Sequence, residues 1–404
     1  MLTSPWARSA AGANTYDTAA AAVLPTIYER TTAAAMAAGA INLGQGFPDD
    51  EGPQWLLRAA AESITDPTYG PNNQYPPGLG LPVLREAVAS HQARRFGVRL
   101  DPQHQVMATT GATEGIAATM LAFAAPDSDV LSFEPWYDSY GSIAALAGAR
   151  LRTVPLSAPD FRPDVATLVS MISEKTSMIL LNTPHNPTGT VFTADELGQI
   201  VAAARKHDVV IMCDEVYEHL VFDGVQHTPI LAVDGAEDVA VAVSSAGKSF
   251  SVTGWKVGWV TGSAELVNKV RGVKQFLSFT SGPAYQWAVA QGLEDDRGFF
   301  AENQAALQAG RDHLAEGLAA AGLTPYAPQA GYFVLADIAE VTDRPAAEFC
   351  LDLARDVGVA AIPVSALTLG NEASADLDRL VRFAFCKERS TLDEALRRLK
   401  RSRV

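Results

Sequence analysis

Between about residue 52 and residue 290 the chain alternates short runs of Val, Ile and Leu with helical stretches. SMILLN (177–182) and DVVIMCDE (208–215) are two such runs. Apolar at consecutive positions, they read as strands buried on both faces, and the alternation predicts a mostly parallel sheet with helices on both sides. TADELGQIVAAARKH (193–207) lies between them. Thr193 and Glu196 have the spacing of a capping box, and Leu197, Ile200, Val201 and Ala204 recur at helical spacing, so the segment is a crossover helix. Such a crossover brings the ends of both strands to one carboxyl edge, where open α/β sheets bind ligands.

The two ends of the chain have a different texture. The first forty or so residues are alanine-rich and predict a loose segment followed by a helix that ends before INLGQGFPD (41–49). After about residue 290 come long Ala/Leu/Glu/Arg segments, GYFVLAD (331–337), a helix around 345–356, LVRFAFC (380–386) and a last helix opened by Thr391 with Glu394. Few strands among several helices predict an α+β unit. The expected organisation is α/β: a large domain over 52–290, and a small domain built from 291–404 with the N-terminal segment 1–51 folded back onto it.

Composition narrows the functions available. The chain has 404 residues, a formal charge of −15 and a pI near 4.9, with no basic run interleaved with aromatics. That charge excludes the electrostatic footprint of a nucleic-acid binder. Cys213, Cys350 and Cys386 are few and far apart, giving neither a disulfide framework nor a paired metal signature. No apolar run approaches a membrane span, and the N-terminus lacks a continuous apolar segment, so the expectation is a cytoplasmic protein with no membrane partner.

SSAGKSFSVTGWKVGW (244–259) carries Lys248 and Lys256. It is not a nucleotide loop, because the glycine a Walker A turn needs five positions before its GK pair is replaced by Ala242. Asp214 and Glu215 close a fully apolar strand, where an acid needs a partner, and Tyr217 follows. NTPHNPTG (182–189) supplies Asn182 and Asn186 at the same edge; His185 reads as structural. VMATTGATEG (106–115) runs from a strand through Gly111 into a helix start, where free N–H groups and Thr113 suit an anion beside Ser245 and Lys256. A phosphorylated pyridine aldehyde uses each of these: lysine forms an imine, a carboxylate keeps the ring nitrogen protonated, and tyrosine and asparagine donate to the ring oxygen.

INLGQGFPD, NQYPPG (73–78), GATEG, EPWYDSY (134–140), NTPHNPTG, CDEVYEHLVFDG (213–224), SSAGKSFSVTGWKVGW and RFAFCK (382–387) occur in that order over nearly the whole chain. Together they resemble the class I/II aminotransferases of fold type I, which use pyridoxal 5'-phosphate, in the branch of the N-succinyldiaminopimelate aminotransferases and kynurenine/glutamine transaminases. The resemblance implies Lys248 as the Schiff-base lysine, Asp214 as partner of the ring nitrogen, and Tyr217 and Asn186 as partners of the ring oxygen. It also implies Ala112, Thr113, Ser245 and Lys256 at the phosphate and Tyr137 stacked on the ring, with Trp136 as the competitor one residue away. Arg382 is implied as the clamp of the substrate α-carboxylate, with Gly46 beside it, and Tyr75 as a residue that reaches across a homodimer to the neighbouring phosphate. The implied reaction is ping-pong transfer of an amino group from an L-amino acid to a 2-oxo acid. N-succinyl-LL-2,6-diaminopimelate with 2-oxoglutarate heads the substrates; kynurenine, glutamine, methionine or aromatic amino acids are the alternatives, as is cysteine-S-conjugate β-lyase chemistry. One departure stands out: AGYF (330–333) leaves Gly331 where relatives often carry a hydroxyl near the substrate entrance.

Overall fold

The apolar runs in the middle of the chain pair into one seven-stranded sheet. In this computed structural model, which describes residues 4–70, 72–295 and 297–402, the strands are β1 (Val106–Thr110), β2 (Asp129–Glu134), β3 (Arg150–Pro155), β4 (Thr176–Asn182), β5 (Val210–Asp214), β6 (Ala240–Ser245) and β7 (Val257–Gly262). Their order is β1-β7-β6-β5-β4-β2-β3. Neighbours run parallel except at β7, which is antiparallel to both β1 and β6. Alternate strand residues feed two separate cores. Ile179, Leu181, Ile211 and Cys213 enter one, and Met178, Leu180 and Met212 the other, the period-two signature of a sheet covered on both faces.

The helices that bear on the site are α1 (Pro5–Gly12), α2 (Ile27–Ala38), α3 (Pro82–Phe96), α4 (Gly111–Phe123), α5 (Ser139–Ala147), α6 (Ala194–His207) and α7 (Ala246–Ser249). The crossover helix α6 begins as its sequence predicts: Thr193 Oγ1 accepts from Glu196 N, and Thr193 N donates to the Glu196 carboxylate. It leads β4 into β5 with Asn182 directly opposite Asp214. Gly258 of β7 lies opposite both Ser245 of β6 and Thr109 of β1. Because β7 runs the other way, its beginning joins the ends of its neighbours. One edge of the sheet therefore collects Thr110, Asn182, Asp214, Ser245 and Lys256.

The C-terminal part holds a second, antiparallel sheet of β8 (Thr324–Tyr326), β9 (Phe333–Asp337), β10 (Ile362–Pro363) and β11 (Leu380–Ala384), in the order β8-β9-β11-β10. Ile41–Asn42 pairs in parallel with Val359–Ala360, which ties the stretch after α2 to this unit.

Two details differ from the sequence expectation. The N-terminal segment does not fold as one piece onto the smaller unit: α1 packs on α5 beside the large sheet, with Arg8 Nε donating to Ala145 O at 3.3 Å and the Ser9 and Ser142 hydroxyls 2.7 Å apart. The last helix spans Arg389–Ser402 and is not opened by Thr391. Asp49, distant in sequence, accepts from Glu388 N at 3.1 Å and from the Thr391 hydroxyl at 3.2 Å, so the capping oxygen comes from another segment.

The α1–α5 crossing depends on two glycines. A Cβ on Gly141 would stand 2.1 Å from Gly12 O, and one on Gly12 would stand 2.2 Å from Gly141 O, so a side chain at either position forces the helices apart. Gly141→Ala is expected to cost about 1–3 kcal/mol, as overpacking does. The prediction is a lower urea midpoint and faster proteolysis in the first twenty or so residues. An unchanged midpoint and cleavage rate would contradict it.

Candidate active site

A cavity of about 410 Å³ opens at the edge where these strand ends meet, and β11 and the segment after α2 close it from the other side. Ala112, Thr113, Tyr137, Asn186, Asp214, Tyr217, Ser245, Lys248, Lys256, Gly46 and Arg382 all line it. Tyr75 does not. It is 86% exposed, its ring 5.8 Å from that of Phe279 on the outer surface.

Asp214 forms the floor. Its carboxylate accepts from the Tyr140 hydroxyl at 2.6 Å and from Val216 N at 3.2 Å. Burial pushes its pKa up to about 6, and these two hydrogen bonds hold it from rising further. Asn182 Nδ2 donates to Asp214 O at 2.9 Å, and Asn182 Oδ1 accepts from Asn186 N at 2.7 Å, so the two asparagines lock the NTPHNPTG turn to the end of β5. His185 lies in that turn, buried and bonded to Thr188 Oγ1 at 2.9 Å, and is not among the residues that line the cavity. Tyr217 is buried with its ring edge-on to Tyr332 at 5.5 Å.

The start of α4 forms a cradle. Gly111 has φ of +69°, and a Cβ there would lie 3.2 Å from Lys256 Nζ. A Cβ on Gly258 would come within 2.8 Å of Ala112 N. Both glycines keep clear the space over the first N–H groups of α4, where an anion is stabilised by the helix end. Thr113, Ser245 and Lys256 line the same cavity. Tyr137 lines it as well, and burial pushes its pKa up to about 12. Trp136, by contrast, is 3% exposed and belongs to the hydrophobic core. It does not line the cavity.

Lys248 sits on the single turn of α7, which Ser245 caps by accepting from Gly247 N. Its Nζ donates to Gly46 O at 2.9 Å and lies 5.3 Å from the Tyr332 ring centre and 5.8 Å from that of Tyr217. Removal from water lowers its pKa to about 8. The amine is therefore much closer to neutral than a surface lysine, as a nucleophile or proton carrier requires.

Arg382 enters from β11 and is 1% exposed. The Phe333 ring lies 3.9 Å and the Tyr28 ring 5.3 Å from its guanidinium carbon. Nη2 donates to Gly44 O at 2.8 Å and Nη1 reaches Asn186 Oδ1 at 3.4 Å, whereas Nε is buried without a partner. No carboxylate pairs with it among the described residues. A buried guanidinium with a free donor suits a carboxylate. A Cβ on Gly46 would come 2.4 Å from Phe333 Cζ, so glycine is needed where this segment crosses the ring.

Four participants escaped sequence reasoning: Tyr140 on Asp214, Tyr28 and Phe333 around Arg382, and Tyr332, whose hydroxyl donates to Lys248 O at 3.0 Å. EPWYDSY and AGYF contained the signals for Tyr140, Tyr332 and Phe333, whereas nothing around Tyr28 marked it. Tyr332 also bears on the departure at Gly331: φ there is +86°, and the neighbouring tyrosine supplies a hydroxyl to the lysine's backbone.

Taken together, an anion cradle at a helix start, a buried carboxylate, a lysine of lowered pKa and an unpaired arginine fit a phosphorylated pyridine aldehyde and an amino-acid carboxylate. The comparisons with known proteins agree. Residues 38–399 match the family model for aminotransferase class I and II. The chain is 45% identical over 382 residues to a probable N-succinyldiaminopimelate aminotransferase of Mycobacterium tuberculosis, covering 93% of this chain and 95% of that protein. It is 35% identical to a methionine aminotransferase of Escherichia coli over the same shares of the two chains. The solved structure of the N-succinyldiaminopimelate aminotransferase from M. tuberculosis superposes with a TM-score of 0.89 at 44% identity, covering 93% of this chain and 97% of that one. The chain belongs to the class I and II aminotransferases, and is a pyridoxal-phosphate-dependent aminotransferase of fold type I.

Proposed function

We propose that Lys248 is the residue this enzyme joins to pyridoxal phosphate, and that the cavity transfers an amino group from an L-amino acid to a 2-oxo acid in two half-reactions. The observation that carries this reading is the convergence in one cavity of Lys248, Asp214 and Arg382 from three separate elements, with Arg382 Nε left free. Pyridoxal phosphate supplies, when bound, the aldehyde that takes the amino group and the ring that accepts the electrons of the broken Cα–H bond. Of the residues lining the cavity, Asp214 would hold the ring nitrogen, Tyr217 and Asn186 the ring oxygen, Tyr137 the ring face, and Ala112, Thr113, Ser245 and Lys256 the phosphate. Arg382 holds the substrate α-carboxylate, with Gly46 alongside. Lys248 Nζ takes the proton from Cα and returns it, a duty suited to an amine with a pKa brought down to about 8.

The donor is N-succinyl-LL-2,6-diaminopimelate and the acceptor 2-oxoglutarate. Similarity over nearly the full length of the M. tuberculosis relative supports this assignment. A second reading has its own observation: the cations of the cavity are Lys248, Lys256 and Arg382, each with a duty already, while Tyr28, Gln45, Phe47 and Phe333 are among the uncharged residues that line the rest. Such a wall suits a donor with a neutral side chain, such as methionine or kynurenine, unless a second subunit adds a cation. A homodimer fits the exposed surface of Tyr75, Phe276, Leu277 and Phe279, the first two of which are 86% and 83% exposed. In that assembly Tyr75 serves the partner's phosphate. Among the described residues no helix is long and apolar enough to cross a membrane, and the site needs no membrane; the cytoplasm is the proposed location.

Three measurements test this reading. In single half-reactions with the purified enzyme, N-succinyl-LL-2,6-diaminopimelate is expected to convert the cofactor to its amine form with higher kcat/KM than methionine or kynurenine. The reverse order supports the neutral-side-chain reading, and release of ammonia and pyruvate with unchanged cofactor would contradict transamination. Lys248→Ala is expected to abolish turnover with the fold intact by circular dichroism, whereas Arg382→Ala lowers kcat/KM for both substrates by roughly 100-fold or more without loss of bound cofactor. Multiple turnover by the first variant, or unchanged KM in the second, would refute the assignments.

The third measurement concerns pH. In the cofactor-free protein the raised pKa of Asp214 favours its protonated form, so the stability contributed by this site is lost as pH rises through about 6. Binding a protonated ring nitrogen needs the carboxylate, so cofactor affinity falls as pH drops through the same region. The Tyr140 hydroxyl favours the carboxylate. Tyr140→Phe therefore raises the Asp214 pKa and is expected to move the acid midpoint of cofactor affinity upward by roughly 0.5–1.5 pH units. An unmoved or lowered midpoint would contradict the pairing.

A further inference from the structure

Next in the chain to the cavity-lining Tyr217, Ser245 and Lys248 stand members of a buried polar cluster that none of the assigned roles uses. His91 and Gln92 are neighbours on α3, Glu218 and His219 follow Tyr217, and Ser244 and Ser249 flank the stretch 245–248; all six are at most 6% exposed. They make two parallel rungs. In the first, Gln92 Nε2 donates to Glu218 Oε2 at 2.8 Å and the Ser244 hydroxyl donates to Glu218 Oε1. In the second, His91 Nε2 and His219 Nε2 are 2.8 Å apart, and His219 Nδ1 is 2.7 Å from Ser249 Oγ.

The second rung has one direction only. His91 Nδ1 lies 3.1 Å from Leu293 O, a carbonyl that can only accept, so this nitrogen carries the proton. Burial drives the His91 pKa down to about 4 and that of His219 well below its ordinary value, so both rings are neutral near pH 7. His91 Nε2 is then an acceptor and takes the Nε2–H of His219. His219 Nδ1 is left bare and takes the hydroxyl proton of Ser249. The alternative acceptor for that proton, Ser245 O, is farther away at 3.2 Å. Reversing the rung would set an unprotonated His91 Nδ1 against the Leu293 carbonyl, leaving two buried acceptors face to face.

Ser249 immediately follows Lys248, and α7 is only four residues long. A single turn has too few hydrogen bonds of its own to fix its direction, so ties from outside must do so. We propose that His219 is a positioning residue: through Ser249 it orients α7, and so sets the approach of Lys248 Nζ to the cofactor. This inference rests on the reading of Lys248 as the cofactor-bearing lysine.

The test uses the holoenzyme and four variants, with two readouts: the rate at which cofactor leaves on transfer to cofactor-free buffer, and the pH midpoint of the cofactor's visible band. Ser249→Ala and His219→Phe remove the contact from either side. His219→Asn keeps an acceptor oxygen near the place of Nδ1. The first two are expected to release cofactor roughly tenfold faster and to move the midpoint by at least about 0.5 unit. The asparagine variant is expected to stay near wild type, whereas a merely space-filling role would leave it no better than His219→Phe. Wild-type release and midpoint in Ser249→Ala and His219→Phe, or an asparagine variant indistinguishable from His219→Phe, would overturn the proposal. Lys248→Ala separates the two failures: if that variant keeps the visible band, the underlying assignment of the lysine is wrong, whereas its loss beside an unaffected Ser249→Ala sinks the rung alone.

Discussion

A carboxylate and a guanidinium are held out of water in the walls of one cavity, and among the described residues neither has an opposite charge in contact. Asp214, 4% exposed, is met by a tyrosine hydroxyl and a backbone N–H; Arg382, 1% exposed, is met by carbonyl and amide oxygens. Burying an ion without its counterion costs several kcal/mol. In the function proposed above, the counterions arrive with the ligands: a protonated ring nitrogen for Asp214 and a substrate carboxylate for Arg382.

Topology makes the arrangement possible. Four strand ends at one edge supply Thr110, Asn182, Asp214 and Ser245, with Asn182 directly opposite Asp214, and Lys256 stands just ahead of the reversed strand β7. The smaller sheet then sets Arg382 opposite them, with its guanidinium over the Phe333 ring and the Gly44–Gly46 segment draped across it. Strands carry Asp214 and Arg382, while the single turn of α7 carries Lys248.

Much of this was legible in the chain. The apolar runs implied a sheet covered on both faces, the Thr193–Glu196 spacing located the crossover, and an acid closing a buried strand or an arginine inside LVRFAFC invites the question of what pays for it. The motifs that resemble the aminotransferases then gave the chemistry. What remained hidden depends on distance along the chain. Tyr140 reaches Asp214 across 74 residues, Asp49 caps a helix some 340 residues away, and the reversal of β7 is a pairing choice that its own apolar pattern, the same in either direction, does not encode. The packing of α1 on α5 follows from two glycines 129 positions apart, each unremarkable alone. Tyr75 was placed in the site only by resemblance, and in a single chain it lies outside the cavity.

The most direct measurement is a crystal structure of the holoenzyme with a bound, unreactive amino-acid analogue. The account predicts continuous density from Lys248 Nζ to the cofactor or a released lysine beside it, the phosphate over the start of α4 at Ala112 and Thr113, Asp214 on the ring nitrogen, and the analogue's α-carboxylate taking the free Nε of Arg382. A carboxylate bound elsewhere while Arg382 keeps its present partners, or a phosphate away from α4, would contradict it.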